Sequence, residues 1–146
     1  MNKLKEKKLN NKGFSLVELI IVIAIMAVLI GVLAPQYLKY VERSRVSTDK
    51  DNIAAMESAI QVYGADTEIA AANALKSGTI KLTRGADPTI SDASLTSALT
   101  NAGLDTKYRL QNRQTKDPVT ITVTVETNGT VKVSNDWNTP APAPAP

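Results

Sequence analysis

Cysteine and histidine are both absent from the 146 residues. Their absence excludes disulfides, thiolate or imidazole metal ligands, thiol nucleophiles and the usual general base near neutral pH. It does not exclude export, because oligomerisation or a long packed helix can supply the stability that disulfides give other exported proteins. Aromatic residues are scarce at 4%, so Tyr37, Tyr40 and Tyr63, which fall at helical spacing, are expected to pack rather than to relay charge with Phe14. No activated nucleophile or carboxylate pair stands at a telling spacing, so no catalytic site and no cofactor are expected. Asp117 and Asp136 stand apart from any compact run of oxygen ligands, so no metal is expected either.

Excess positive charge is also missing from most of the chain, despite a pI near 9.2. Lys3, Lys5, Lys7, Lys8 and Lys12 against Glu6 give the first thirteen residues +4, and the chain total of +3 leaves −1 for the remainder. The basic pI therefore reports a targeting segment and not a general attraction to phosphates. Nucleic-acid binding through a local patch is left open.

What is present is an uneven distribution of apolar residues. Overall hydrophobic content is an ordinary 43%, but between Phe14 and Ala34 only Ser15 and Glu18 are polar. As a helix this stretch would be roughly 31 Å long, about the hydrocarbon thickness of a bilayer. Val32-Leu33-Ala34 superficially offers a secretory cleavage site, but Pro35 follows at once and makes a poor peptidase substrate, so the apolar stretch is expected to be retained. The leader carries five lysines, against Lys39, Arg43 and Arg45 beyond the span, which predicts a cytoplasmic leader and an exported carboxyl-terminal part.

The run GFSLVELIIVIAIM at Gly13–Met26, with basic residues before it, resembles the prepilin signature of type IV pilins, type II secretion pseudopilins and competence pilins. The resemblance covers about the first forty residues. It implies cleavage of the Gly13–Phe14 bond by a prepilin peptidase that also methylates the new amine on Phe14. It implies lodging in the lipid bilayer before assembly, then a homo-oligomeric helical filament built by an inner-membrane platform with an assembly ATPase and minor pilins. Glu18 is then the inter-subunit assembly charge, pairing with the Phe14 amine of a neighbour. A carboxylate in a membrane helix costs about 2.5–3.5 kcal/mol at the bilayer centre and less near its edge, whereas a charge pair at 4 Å is worth about 4 kcal/mol at an effective dielectric near 20, before desolvation. The alternative is that Glu18 serves its own helix end.

Pro35 removes a hydrogen bond to the carbonyl of Gly31, the residue type that adapts most readily. Gly31 and Pro35 thus mark an expected kink, and in the resembled family helices melt near such a proline in filaments. Beyond it, Tyr37, Leu38 and Val41, then Ile53, Met56, Ile60 and Tyr63, recur at helical spacing, with Gly64 as a plausible end. Lys39, Arg43, Asp49 and Asp51 are expected to meet solvent or adjacent subunits. Short helices are predicted at Asp66–Lys76 and Ser91–Asn101, the latter with Ser91 as N-cap and Gly103 beyond its end. Ile80-Lys81-Leu82 reads as a short strand, Ala86-Asp87-Pro88 as a turn and Tyr108 with Leu110 as a further strand. Alternation in Val119, Ile121, Val123 and Val125, then Asn128-Gly129 before Val131 and Val133, predicts a hairpin with a two-residue turn. Asn128-Gly129-Thr130 also matches the N-glycosylation pattern, which the turn explains without sugar.

These elements predict an α+β fold: a long amino-terminal helix, half transmembrane and half amphipathic, packed on a small antiparallel sheet, as the resemblance to type IV pilins also implies. The expected organisation is a leader at 1–13, a membrane and filament-core helix at 14–35, its amphipathic half at 36–64, a variable region at 65–106, the sheet region at 107–138 and an extended Pro/Ala tail at 139–146. The expected product is a filament subunit, anchored in the cytoplasmic membrane and then displayed on the cell surface. A pseudopilin or competence pilin moving cargo or DNA shares the whole signal. A membrane-anchored enzyme or binding domain would not need Glu18.

Overall fold

The computed structural model describes residues 13–66, 74–113 and 117–137. Helix α1, Leu16–Ala65, is followed by strands β1 (Gly78–Thr83) and β2 (Ala86–Ile90), helix α2 (Ala93–Asn101), and strands β3 (Val119–Val125) and β4 (Val131–Asn135). The chain divides into two compact units, Met1–Lys39 and Tyr40–Pro146, and α1 contributes to both.

In the first unit α1 is long and apolar enough to cross a membrane, and every described residue is exposed. Pro35 lies inside the helix without ending it. The carbonyl it deprives of a donor belongs to Gly31, where no Cβ crowds the backbone.

In the second unit the apolar stripe of α1 is buried: Ile53, Met56, Ala59, Ile60 and Tyr63 join one core with the sheet and α2. The sheet is wholly antiparallel, in the order β2-β1-β3-β4. Alternation sends Ile80 and Leu82 from β1, and Val119, Ile121 and Val123 from β3, into that core. Leu95, Ala98 and Leu99 of α2 cover more of it. The expected α+β arrangement, a long helix packed on a small antiparallel sheet, is present.

Several local expectations are corrected. Ala86-Asp87-Pro88 is not a turn: it opens β2, and Arg84-Gly85 makes the connection instead. Proline is tolerated there because β2 is an edge strand whose outward N–H groups need no partner. The N-cap of α2 is Asp92, not Ser91; the Asp92 carboxylate accepts from the Ser94 N–H at 2.8 Å. Ser91 uses its hydroxyl to accept from the Thr79 N–H at 2.8 Å. Gly103 does lie beyond the helix end, at φ +71°. There its N–H meets the Thr100 carbonyl at 2.9 Å and that of Leu104 the Leu99 carbonyl at 3.0 Å, the paired bonds of a Schellman ending.

The hairpin of β3 and β4 is present, but its loop has three residues, Thr127–Gly129, between paired Glu126 and Thr130. Asn128 does not take the positive φ that a two-residue Asn-Gly turn requires; Gly129 alone does, at +83°. Tyr108 and Leu110 form no strand, only an isolated bridge between Leu110 and Arg84. Most of the helix expected at Asp66–Lys76, the leader before Gly13 and the Pro/Ala tail lie outside the described residues.

Candidate functional site

The amino-terminal candidates are arranged by the first turn of α1. Gly13 and Phe14 precede the helix without regular structure, and Phe14 is 87% exposed. The Ser15 carbonyl accepts the first helical bond, from the Leu19 N–H at 3.2 Å, so Ser15 is the N-cap. Its hydroxyl accepts from the Val17 N–H at 3.4 Å, while its own N–H donates to Glu18 Oε2 at 2.8 Å. This is a variant of the capping box, in which the serine and the glutamate three residues later satisfy donors left over at the helix start. Glu18 is therefore engaged within its own chain when the leader is attached. The pattern Ser-x-x-Glu was the available signal for Ser15, which sequence reasoning did not single out.

Chemically, the arrangement leaves an irregular Gly13–Phe14 bond ahead of a long helix, followed at once by the only carboxylate of the apolar stretch. Gly31 and Pro35 lie within α1, exposed. Of the tyrosines on α1, Tyr63 is buried in the core, whereas Tyr37 and Tyr40 are exposed.

A second constellation lies in the second unit. Asp49, expected to meet solvent, is fully buried. Its carboxylate accepts from the Tyr108 hydroxyl, from the Asn112 side-chain amide, from the Gln111 N–H at 3.0 and 3.1 Å and from the Asn112 N–H at 2.9 Å. Two helical turns earlier on the stripe, Glu42 Oε1 accepts from the Arg113 N–H. Burial, followed by the hydrogen bond to Asp49 and its negative charge, pushes the Tyr108 hydroxyl pKa above its ordinary value. The irregular segment Tyr108–Arg113 is thus held on α1 by carboxylate oxygens, which explains why it forms no strand. The signal for Asp49 was its register: Glu42, Val46, Asp49, Ile53, Met56, Ile60 and Tyr63 follow one another at steps of four and three.

Asp117 and Asp136 have structural uses. Asp117 accepts from the Arg84 N–H at 3.1 Å, and Asp136 from the Thr120 N–H at 2.6 Å. Among the described residues no group of three or more possible metal ligands is assembled. A groove of about 530 Å³ between α1 and α2 is lined mostly by small and apolar residues, among them Ala55, Val62, Ala98 and Leu104, with Asp66 and Asn101 as polar members.

Comparison with known proteins converges on the first of these constellations. Residues 8–34 match the family model described as the prokaryotic N-terminal methylation motif. Prepilin peptidase-dependent protein A of Clostridium perfringens is 38% identical over 65 residues, 44% of this chain and 46% of the relative. The type IV major fimbrial protein FimA of Dichelobacter nodosus is 44% identical over 50 residues, 34% of this chain and 32% of the relative. The type IV major pilin protein PilA of Myxococcus xanthus is 41% identical over 49 residues, 34% of this chain and 22% of the relative. The chain thus matches less than half the length of each of these relatives. No solved structure matches it.

Proposed function

From an amino-terminal segment that carries the prokaryotic N-terminal methylation motif, in a chain similar to type IV fimbrial and pilin proteins, we infer that the chain is the precursor of a structural subunit of a type IV pilus-like filament. The observation that carries this is the union, in one short stretch, of the methylation motif, an unstructured Gly13–Phe14 bond and a membrane-length helix whose apolar side chains are all exposed. A prepilin peptidase cuts that bond and methylates the amine of Phe14. The helix first rests in the bilayer, with the leader cytoplasmic, and then leaves lipid to pack against other copies in a filament core outside the cell. An assembly platform with its ATPase, and minor pilins, drive and start this process. The interface is heterologous and does not close into a ring, so it propagates as a helical polymer.

Glu18 has two successive roles in this scheme. In the precursor it caps its own helix through Ser15. After cleavage its charge meets the Phe14 amine of a neighbour, which lets both groups enter an apolar core as a pair rather than singly. Gly31 and Pro35 mark the place where the helix yields as copies pack. The reading takes a pilus rather than a pseudopilus, with a major fimbrial protein and a major pilin among the relatives.

Mass spectrometry of the protein from a host with the peptidase checks the first step: the expected product starts at N-methyl-Phe14, and cleavage after Ala34 would sink the proposal. Surface filaments containing the chain, seen by electron microscopy, are expected over short periplasmic structures. Glu18→Ala is expected to insert in the membrane normally and to enter filaments beside wild-type subunits at least about tenfold less. Glu18→Gln separates the two roles, because glutamine keeps the cap but not the charge. Normal incorporation of that variant would show that capping alone is needed.

A further inference from the structure

The helix between Glu42 and Asn52 is laced to the segment Tyr108–Arg113 through two carboxylates. Glu42 holds the Arg113 N–H, and seven residues on Asp49 holds Tyr108, Gln111 and Asn112. Two helical turns separate the two anchors, about 10 Å along the axis. Asp49 and Asn112 are both fully buried. Before this strap, Pro35 offers no N–H to Gly31, and every described residue from Gly13 to Tyr40 is exposed.

We propose that the strap Tyr108–Arg113 is a stop for helix unwinding. Openings that start at Gly31–Pro35 end at the Glu42–Asp49 anchors, and α1 beyond Asp49 stays helical and docked. Unwinding up to Tyr40 breaks only helical hydrogen bonds of residues whose side chains are exposed, so the freed groups find new partners at little cost. Unwinding past Asp49 must withdraw a buried carboxylate from its donors and leave both sides unsatisfied. The strap is therefore a boundary between two cooperative units of one continuous helix. It is a property of the single chain and does not depend on filament assembly. In an assembled filament it would fix how much of each helix can lengthen under load.

Hydrogen exchange of the full chain in detergent micelles, followed by mass spectrometry, tests this without any filament. Amides at 37–41 are expected to exchange at least about tenfold faster than those at 53–60. Asp49→Asn places an amide donor among the donors of the strap, and is expected to speed exchange at 48–52 by about tenfold while changing β3 by less than about twofold. Should Asp49→Asn unfold the whole unit, Tyr108→Phe and Glu42→Ala are the milder probes. Each is expected to speed exchange about threefold, at 48–52 and 41–45 respectively. Unchanged exchange at 41–52 in both milder variants would overturn the proposal. So would acceleration of β3 in step with the helix in either milder variant, because the strap would then be holding the whole unit together and not setting a boundary.

Discussion

Within α1, the stretch up to Lys39 buries none of its apolar side chains, whereas the stretch from Tyr40 buries Ile53, Met56, Ala59, Ile60 and Tyr63 and, on the same stripe, the carboxylate of Asp49. From Leu19 to Ala34 the first stretch is apolar around its circumference, as a helix is when its environment is lipid or other helices. The second alternates faces, as a helix does when a sheet covers one side and water the other. One helix thus carries two patterns, suited to different surroundings. The difference teaches that helix length and apolarity alone do not say where the folded domain begins; the first buried polar anchor does.

The same truncation made in both stretches separates them most strongly. Ile60→Ala removes a side chain that is completely buried and is expected to destabilise the domain by about 2–5 kcal/mol. Ile25→Ala removes one that is 54% exposed and is expected to leave domain unfolding unchanged. Thermal unfolding of both variants in the same micelles checks this. Equal losses would mean that the two stretches unfold as one unit.

A smaller effect is expected at high pH. The Tyr108 hydroxyl is held neutral by burial and by Asp49, so its folded pKa lies above the unfolded value of about 10. Above that value the unfolded state gives up its proton first, so the stabilisation is complete below about pH 10 and is lost as pH rises beyond it. In Tyr108→Phe the unfolding midpoint is expected to fall less steeply above about pH 10 than in the wild type, a difference that denaturant titrations at several pH values would read. An equally steep fall in both proteins would contradict it.

The smallest effect is at the cap of α2. Hydrogen bonds from Ser94 hold the Asp92 carboxyl below its ordinary pKa. Its contribution is present above the unfolded value of about 3.9 and is lost as pH falls through the lower folded value. Amide exchange at 93–96 is therefore expected to quicken at acid pH in the wild type. Asp92→Asn, which caps without titrating, is expected to show less change.

Much of this was legible in the sequence because single periodicities carried it. The alternation from Val119 to Val125 placed β3 and its buried face, and the stripe from Ile53 to Tyr63 placed the docked half of α1. The amino-terminal signal was legible as an ordered combination of residues, not as any one of them. What was not legible depended on partners distant in the chain. Asp49 looks like a solvent-facing residue of an amphipathic helix until its donors, some sixty residues later, are known. Tyr108 and Leu110 have strand-like spacing, but their backbone is claimed by carboxylates instead of a neighbouring strand. Asp87-Pro88 has the composition of a turn and lies in a strand because its position at the sheet edge removes the penalty.

That edge has a further consequence. A protein proposed to be concentrated into polymers brings the outer strands of many domains close together, and an open strand is a template for the next one. β2 meets this hazard with a residue that cannot donate, Pro88, beside Asp87, whose side chain is tied at 2.8 Å to Arg109 on the surface. The strand is thereby made a poor nucleus for amyloid-like stacking. At this edge of the sheet, pairing between copies is thereby disfavoured, which in the proposed filament would leave contact between subunits to the helices.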